Sequence, residues 1–182
     1  MTNRYLQQNA GAIAIGAGLV AVFLYGVMMT VTLANIQAIS GQPAFDMRPF
    51  GYGPKDAATL LDALGDQGRA YYLSRQIPLD TLYPSLLALT LSASILWLGR
   101  GLHNRRIIHI GVAFSIACAV FVYSENFGIV AMLWNWPVVS PTLVHAVSIA
   151  TILKSGATTI AMSLVLFLGV KRLGVAKTAT SA

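Results

Sequence analysis

Residues 142–170 read TLVHAVSIATILKSGATTIAMSLVLFLGV, and this stretch decides the fold. It exceeds the ~20 apolar residues that a helix needs to cross the hydrocarbon core of a bilayer. Its only ionisable side chains are His145 and Lys154. A charge near the bilayer centre costs about 2.5–3.5 kcal/mol on insertion scales, so Lys154 needs a partner or a use. The apolar stretch before it, residues 107–133, carries Glu125. If the two stretches are antiparallel neighbours, depth can be counted from their shared end. Glu125 then lies roughly 12 Å down and Lys154 roughly 18 Å, at about 1.5 Å per residue. One helical turn separates those levels, within reach of a lysine side chain. The opposite charges are expected to meet.

Working outward, residues 11–36 and 79–98 are also long and apolar enough to span. The expected architecture is all-α: a single membrane domain forming an antiparallel four-helix transmembrane bundle. The whole chain agrees, with 182 residues, 56% of them hydrophobic and 10% charged, and a mean hydropathy of +0.68. Soluble domains carry about 25% charged residues. Residues 11–36 are too long for the apolar core of a cleavable signal, and only Arg4 is basic before them, so they read as a retained first span. Ala14 with Gly18, and Ala17 with Ala21, give that span small-xxx-small spacing. The spacing suits close packing inside the bundle or against a partner membrane protein or second copy.

Charge gives the orientation. The connection 99–106 holds Arg100, Arg105 and Arg106 with His103, and the tail holds Lys171, Arg172 and Lys177. Both belong on the cytoplasmic side, and four spans then place both termini there. The uncharged connection 134–141, with Trp134 and Trp136, reads as a turn at the outer interface. The formal charge of +6 is thereby explained by membrane topology, with no nucleic-acid partner. The single cysteine, Cys118, excludes an internal disulfide and a four-cysteine metal site.

Residues 37–78 form the one sizeable extramembrane loop, expected on the outer side. Its first half, with Pro43, Pro49 and Pro54, is irregular. Its second half is helical, opening at Pro54 with Asp56 in the first turn. Leu60, Leu61, Leu64, Tyr71 and Tyr72 recur at roughly helical spacing, which predicts an amphipathic outer-face helix between spans one and two. Gly65 and Gly68 are candidate breaks, and Pro78 restarts the chain as span two.

The candidate polar cluster comprises Asp80, Tyr123, Glu125, Asn126, His145 and Lys154, with Arg69, Tyr71 and Tyr72 as an outer lid. Asp80 has a second role open to it, as a carboxylate favourable at a helix N-terminus. His103 and His109 lie near the cytoplasmic face with no acidic residue close in sequence, and His145 lies near the outer face, so neither a metal nor a haem site is expected, and no cofactor is implied. No phosphate loop, GxSxG elbow or HExxH is present. Three functional classes stay open. One is a non-enzymatic accessory subunit or a module binding a lipid or small apolar ligand. The second is a membrane enzyme acting on a lipid or isoprenoid with Glu125 as acid/base. The third is ion or proton translocation.

The runs Leu60-Leu61-Asp62-Ala63-Leu64-Gly65, Gly68-Arg69-Ala70-Tyr71-Tyr72-Leu73 and Leu79-Asp80-Thr81-Leu82-Tyr83-Pro84, followed by Glu125-Asn126 and Lys154, carry a resemblance. With them the chain, from Gly51 to Val170, resembles a group of uncharacterised bacterial four-span integral membrane proteins. The resemblance implies a shared four-helix architecture in the bacterial inner membrane. It implies no activity. It groups Arg69, Tyr72, Asp80, Glu125, Asn126 and Lys154 as a unit.

Overall fold

A computed structural model describes residues 2–100 and 105–180, with side chains described for 9–100 and 105–174. His103 lies outside the described residues, as do the side chains of Arg4 and Lys177. The protein is all-α, and among the described residues there is no strand. The helices are α1 (Thr2–Val27), α2 (Leu33–Ser40), α3 (Pro54–Tyr71), α4 (Ile77–Leu98), α5 (Arg105–Asn135) and α6 (Pro141–Thr180). Single π-helical turns, Met28–Thr32 and Tyr72–Gln76, join α1 to α2 and α3 to α4. Four continuous segments are long and apolar enough to cross a membrane. Helices meet this demand because every backbone N–H and C=O between their ends is satisfied within the segment.

The helices extend beyond the spans expected from hydropathy, which registers only their apolar centres. Span two differs in kind. It does not restart at Pro78; the helix runs without a break from α3 through the π turn into α4. Proline lacks an N–H and crowds the carbonyl four residues back. The π turn just before it widens the ladder at that place. The break falls instead at Gly65, whose φ of 58° and ψ of −177° occupy a region open essentially to glycine alone. Gly68 does not interrupt the helix; it packs against Ile39 and Leu64.

The helix α3 lies across one end of the bundle. Pro54 opens it, and the Asp56 carboxylate accepts the Gly53 N–H at 3.0 Å. Its apolar face (Ala57, Leu60, Leu61 and Leu64) is buried against a core that includes Ile36, Ile129, Met132, Val144 and Val147. The irregular segment 41–53 does more than connect. Its Phe45 is fully buried, and Ala44 and Tyr52 are nearly so. Gly51, at φ +83°, lies so close to α6 that a Cβ would stand 2.5 Å from Ser148 Oγ. That hydroxyl accepts the Tyr52 N–H at 2.8 Å. Residues 41–53 therefore plug the end of the bundle that α3 covers.

Between the long helices, α5 packs along α4 and α6, α4 also touches α6, and α1 packs along α4. Small residues of α1 make its seam. Ala10, Ala14 and Ala21 are buried, Gly11 lies on the Trp97 indole and Gly18 on Thr90. At the end away from the plug, Arg172 of α6 donates to the Trp97 carbonyl at 2.8 Å, and its guanidinium stands 5.3 Å from the ring centre. It thereby satisfies a carbonyl of the last turn of α4. Among the described residues, no comparable seam joins α1 to α6. The bundle is open along that side.

Candidate functional site

The open side of the bundle holds a cavity of about 630 Å³. Its back wall is α4 (Asp80, Tyr83, Leu87, Thr90, Leu91), and its flanks are α1 (Gly18, Val22, Tyr25) and α6 (Lys154, Thr158, Met162). Asp46 and Met47 of the plug close the covered end, and Cys118 and Val122 add the α5 surface. Val22, Tyr25 and Met162 combine this lining with substantial exposure, so the mouth faces sideways between α1 and α6. From Asp80 to Leu91 the cavity runs roughly 16 Å along α4, at about 1.5 Å per residue. Charge is confined to its covered end.

The Lys154 ammonium nitrogen lies against Glu125 Oε2. Glu125 is fully buried, and its other oxygen accepts the Thr151 hydroxyl at 2.6 Å. Helical phase puts these groups on the seam. The buried stripe of α5 runs Ser115, Cys118, Val122, Glu125, Ile129, Met132. That of α6 runs Val144, Val147, Thr151, the half-buried Lys154, Ala157 and Ala161, steps of three and four residues that keep one face inward. Glu125 does not line the cavity; Lys154 does.

Asn126 answers a different demand. Pro84 stands inside α4 and has no N–H for the Asp80 carbonyl four residues back. The Asn126 side-chain amide donates to that carbonyl at 2.8 Å. Tyr123, one turn earlier on α5, donates to the Thr81 carbonyl at 3.0 Å and meets the Ser85 hydroxyl. The two residues clamp α5 to the proline-weakened turn of α4. Replacing Asn126 with Ala is expected to cost about 1–3 kcal/mol, because the Asp80 carbonyl is left unsatisfied. In a Pro84→Ala background, which restores the intrahelical donor, the same change should cost much less. Thermal unfolding of the four proteins checks this.

Asp80 is 5% exposed, and its Oδ2 has no hydrogen-bond partner. Asp46, which sequence reasoning missed, joins it at the covered end of the cavity. One Asp46 oxygen accepts the Tyr72 hydroxyl at 2.8 Å and the Gln76 amide at 3.4 Å. Gln76 in turn takes the Thr32 hydroxyl. The two π turns thus meet through Thr32 and Gln76, and the second of them holds Asp46. Its other oxygen has no partner. Arg48, two residues on, turns to the Pro43 carbonyl and the Gln42 side chain. The only sequence signal for Asp46 is its flanking by the apolar Phe45 and Met47 in an otherwise polar, proline-rich loop.

Several residues of the expected cluster lie elsewhere. His145 is exposed on α6, away from the cluster: it precedes Lys154 by nine residues, about half a turn of phase at ~3.6 residues per turn. Arg69 does not anchor Asp80. It donates to the Leu61 carbonyl at 2.7 Å and pairs with Asp66. Leu61 is four residues before Gly65, so Arg69 reaches back across the glycine break to the turn that precedes it. Tyr71 is half-buried in the apolar packing under α3, while Tyr72 is fully buried on Asp46. In the plug, burial, with the Glu125 carboxylate adding to it, pushes the Tyr52 phenol well above its ordinary value; Tyr52 is neutral at any physiological pH. Among the described residues, no three His, Cys, Asp or Glu side chains converge as metal ligands do.

Fold and site together define a multi-pass helical membrane protein with a lateral, charge-ended cavity inside its bundle. Comparison with family models, with curated proteins and with solved structures finds no match.

Proposed function

We propose that the protein is a non-enzymatic membrane module that holds a lipid or small apolar molecule in the cavity between α1 and α6. The observation that carries this reading is the cavity: about 630 Å³, apolar along most of its length, charged at one end and open toward the bilayer. Ligand sites are of this size and pattern, mainly apolar with a few polar groups that fix orientation. The basic connection near Arg105 and the basic tail favour the cytoplasmic side of a bacterial inner membrane for both termini. The plug and α3 then face outward, and the ligand's polar end lies nearer the outer leaflet. Lys154 and Glu125 set the polarity of the site and pin α5 to α6.

Catalysis by Glu125 receives no support from its surroundings. Both of its oxygens are engaged, and it does not line the cavity, whereas an acid/base must reach its substrate. Translocation is disfavoured by α6 beyond the cavity, where Ser163 is the one polar side chain between Ile160 and Val170. The face of α1 turned from α4, where Ile15, Leu19 and Phe23 are exposed, is one surface open to a partner subunit or second copy; Phe127 of α5 and Leu166 of α6 are exposed as well.

The test is native mass spectrometry of the protein extracted in mild detergent, beside Thr158→Trp, which fills the cavity from its α6 wall. The wild type is expected to retain a bound lipid or small molecule in stoichiometric amount. Thr158→Trp should lose it while keeping the helix content and monodispersity of the wild type. A bare wild type, or equal retention by both proteins, contradicts the proposal.

A further inference from the structure

We infer that the molecule held here carries a cationic head, a primary ammonium on an apolar body, seated on Asp80 with Asp46 beside it. The inference rests on the cavity being a ligand site, as proposed above. Charge at the covered end is out of balance. Three carboxyl groups, Asp46, Asp80 and Glu125, stand near a single lysine, and that lysine is committed to Glu125. The remaining salt-bridge contact among the described residues is Arg69 with Asp66, on α3. Asp46 and Asp80 therefore have no cationic partner in contact.

A buried charge without a partner is costly, so side chains of this kind are paired or put to use. Asp80 is 95% withdrawn from solvent, lines the cavity and has an oxygen with no hydrogen-bond partner. Asp46 Oδ1 is a second unpartnered oxygen, sealed behind that end of the cavity. A primary ammonium brings three donors and no acceptor, which complements the Asp80 carboxylate at the cavity wall, with the Asp46 charge close behind it. Below them the rings of Tyr25 and Tyr83, 5.6 Å apart between α1 and α4, line the same cavity. Aromatic faces favour a cation. Beyond the rings, Leu87, Leu91, Val122 and Met162 offer an apolar channel for the body of the molecule. A fatty acid or a phosphate head would meet uncompensated carboxylates instead.

Binding of tritiated dodecylamine, dodecanol and dodecanoate to the full chain in phosphatidylcholine nanodiscs, with empty discs as the baseline, tests this. Saturable binding of dodecylamine, one per chain, is expected, with dodecanoate at the empty-disc level. Asp80→Asn, which keeps shape and removes charge, should weaken dodecylamine by at least about tenfold and leave dodecanol unchanged. If Asp80→Asn does not fold, Asp46→Asn is read instead, with a loss of several fold expected. Adding phosphatidylethanolamine to the discs separates two sources of the same head: competition identifies a lipid amine, and no competition a free amphipathic amine. Equal binding of dodecanol and dodecylamine, insensitive to both Asp changes, overturns the cationic head while leaving the cavity a ligand site. No saturable binding of any of the three overturns both.

Discussion

Glu125→Gln and Lys154→Met are each expected to destabilise the folded protein by about 3–5 kcal/mol, and the double change to recover most of that loss. Removing one member of a buried pair strands the other charge away from water, and that uncompensated charge dominates the cost. Glu125 is fully buried. Without it, Lys154 keeps one contact with the cavity and loses its counter-charge. Without Lys154, the Glu125 carboxylate keeps only the Thr151 hydroxyl at 2.6 Å. Gln with Met leaves no charge in the seam, and paired removal of this kind is often neutral or stabilising. Thermal unfolding in detergent, with all four proteins at one pH and salt, gives the coupling directly. Near-additive losses would mean that the two side chains do not depend on one another.

The second large effect is expected one turn along the same seam. Gly128 of α5 faces Val147 of α6 so closely that an added Cβ would overlap the valine side chain. Val147 is itself buried, and a β-branched side chain has little rotamer freedom on a helix. Gly128→Val must therefore push α5 and α6 apart. Overpacking of this kind typically costs about 1–3 kcal/mol, and more where the backbone has to move. Because Glu125 and Lys154 lie on the same seam, separation also loosens their contact, so the loss is placed at the top of that range or above. Val147→Ala alone should be mild. Combined with Gly128→Val it should restore much of the melting temperature, because the space the valine needs is then open. An unchanged melting temperature for Gly128→Val would show that the helices do not approach there.

Much of this arrangement is legible in the sequence, for identifiable reasons. Apolar length announces the four spanning helices, and the cost of a charge in hydrocarbon draws attention to Glu125 and Lys154 before any coordinates. The amphipathic face of α3 is equally plain, because half of that helix is polar. Inside a span, however, hydropathy is uniform, so the period that marks an inward face in a soluble helix is missing. Depth can then be counted while direction cannot. His145 shares a plausible level with Asp80 yet faces outward, and it stands half a turn in phase and about 13–14 Å in depth from Lys154. Pro84 and Asn126 form a readable pair once the missing N–H of the proline is followed to its acceptor on Asp80. Asp46 is the real omission. A loop rich in glycine and proline reads as solvent-facing, and the flanking Phe45 and Met47 are too slight a signal to say that Asp46 is carried into the bundle. The gap between α1 and α6 is likewise a matter of helix packing, to which composition is blind.

The proposed function depends on that gap and on what fills it. The most direct measurement is an electron cryo-microscopy structure of the full chain in lipid nanodiscs, with an antibody fragment on the α3 end to add mass. The expected result is an α1–α6 groove open over α4, holding one elongated density whose head lies within hydrogen-bond reach of Asp80. An α1 closed against α6, with Asp80 paired to a protein side chain and no room between them, would contradict it.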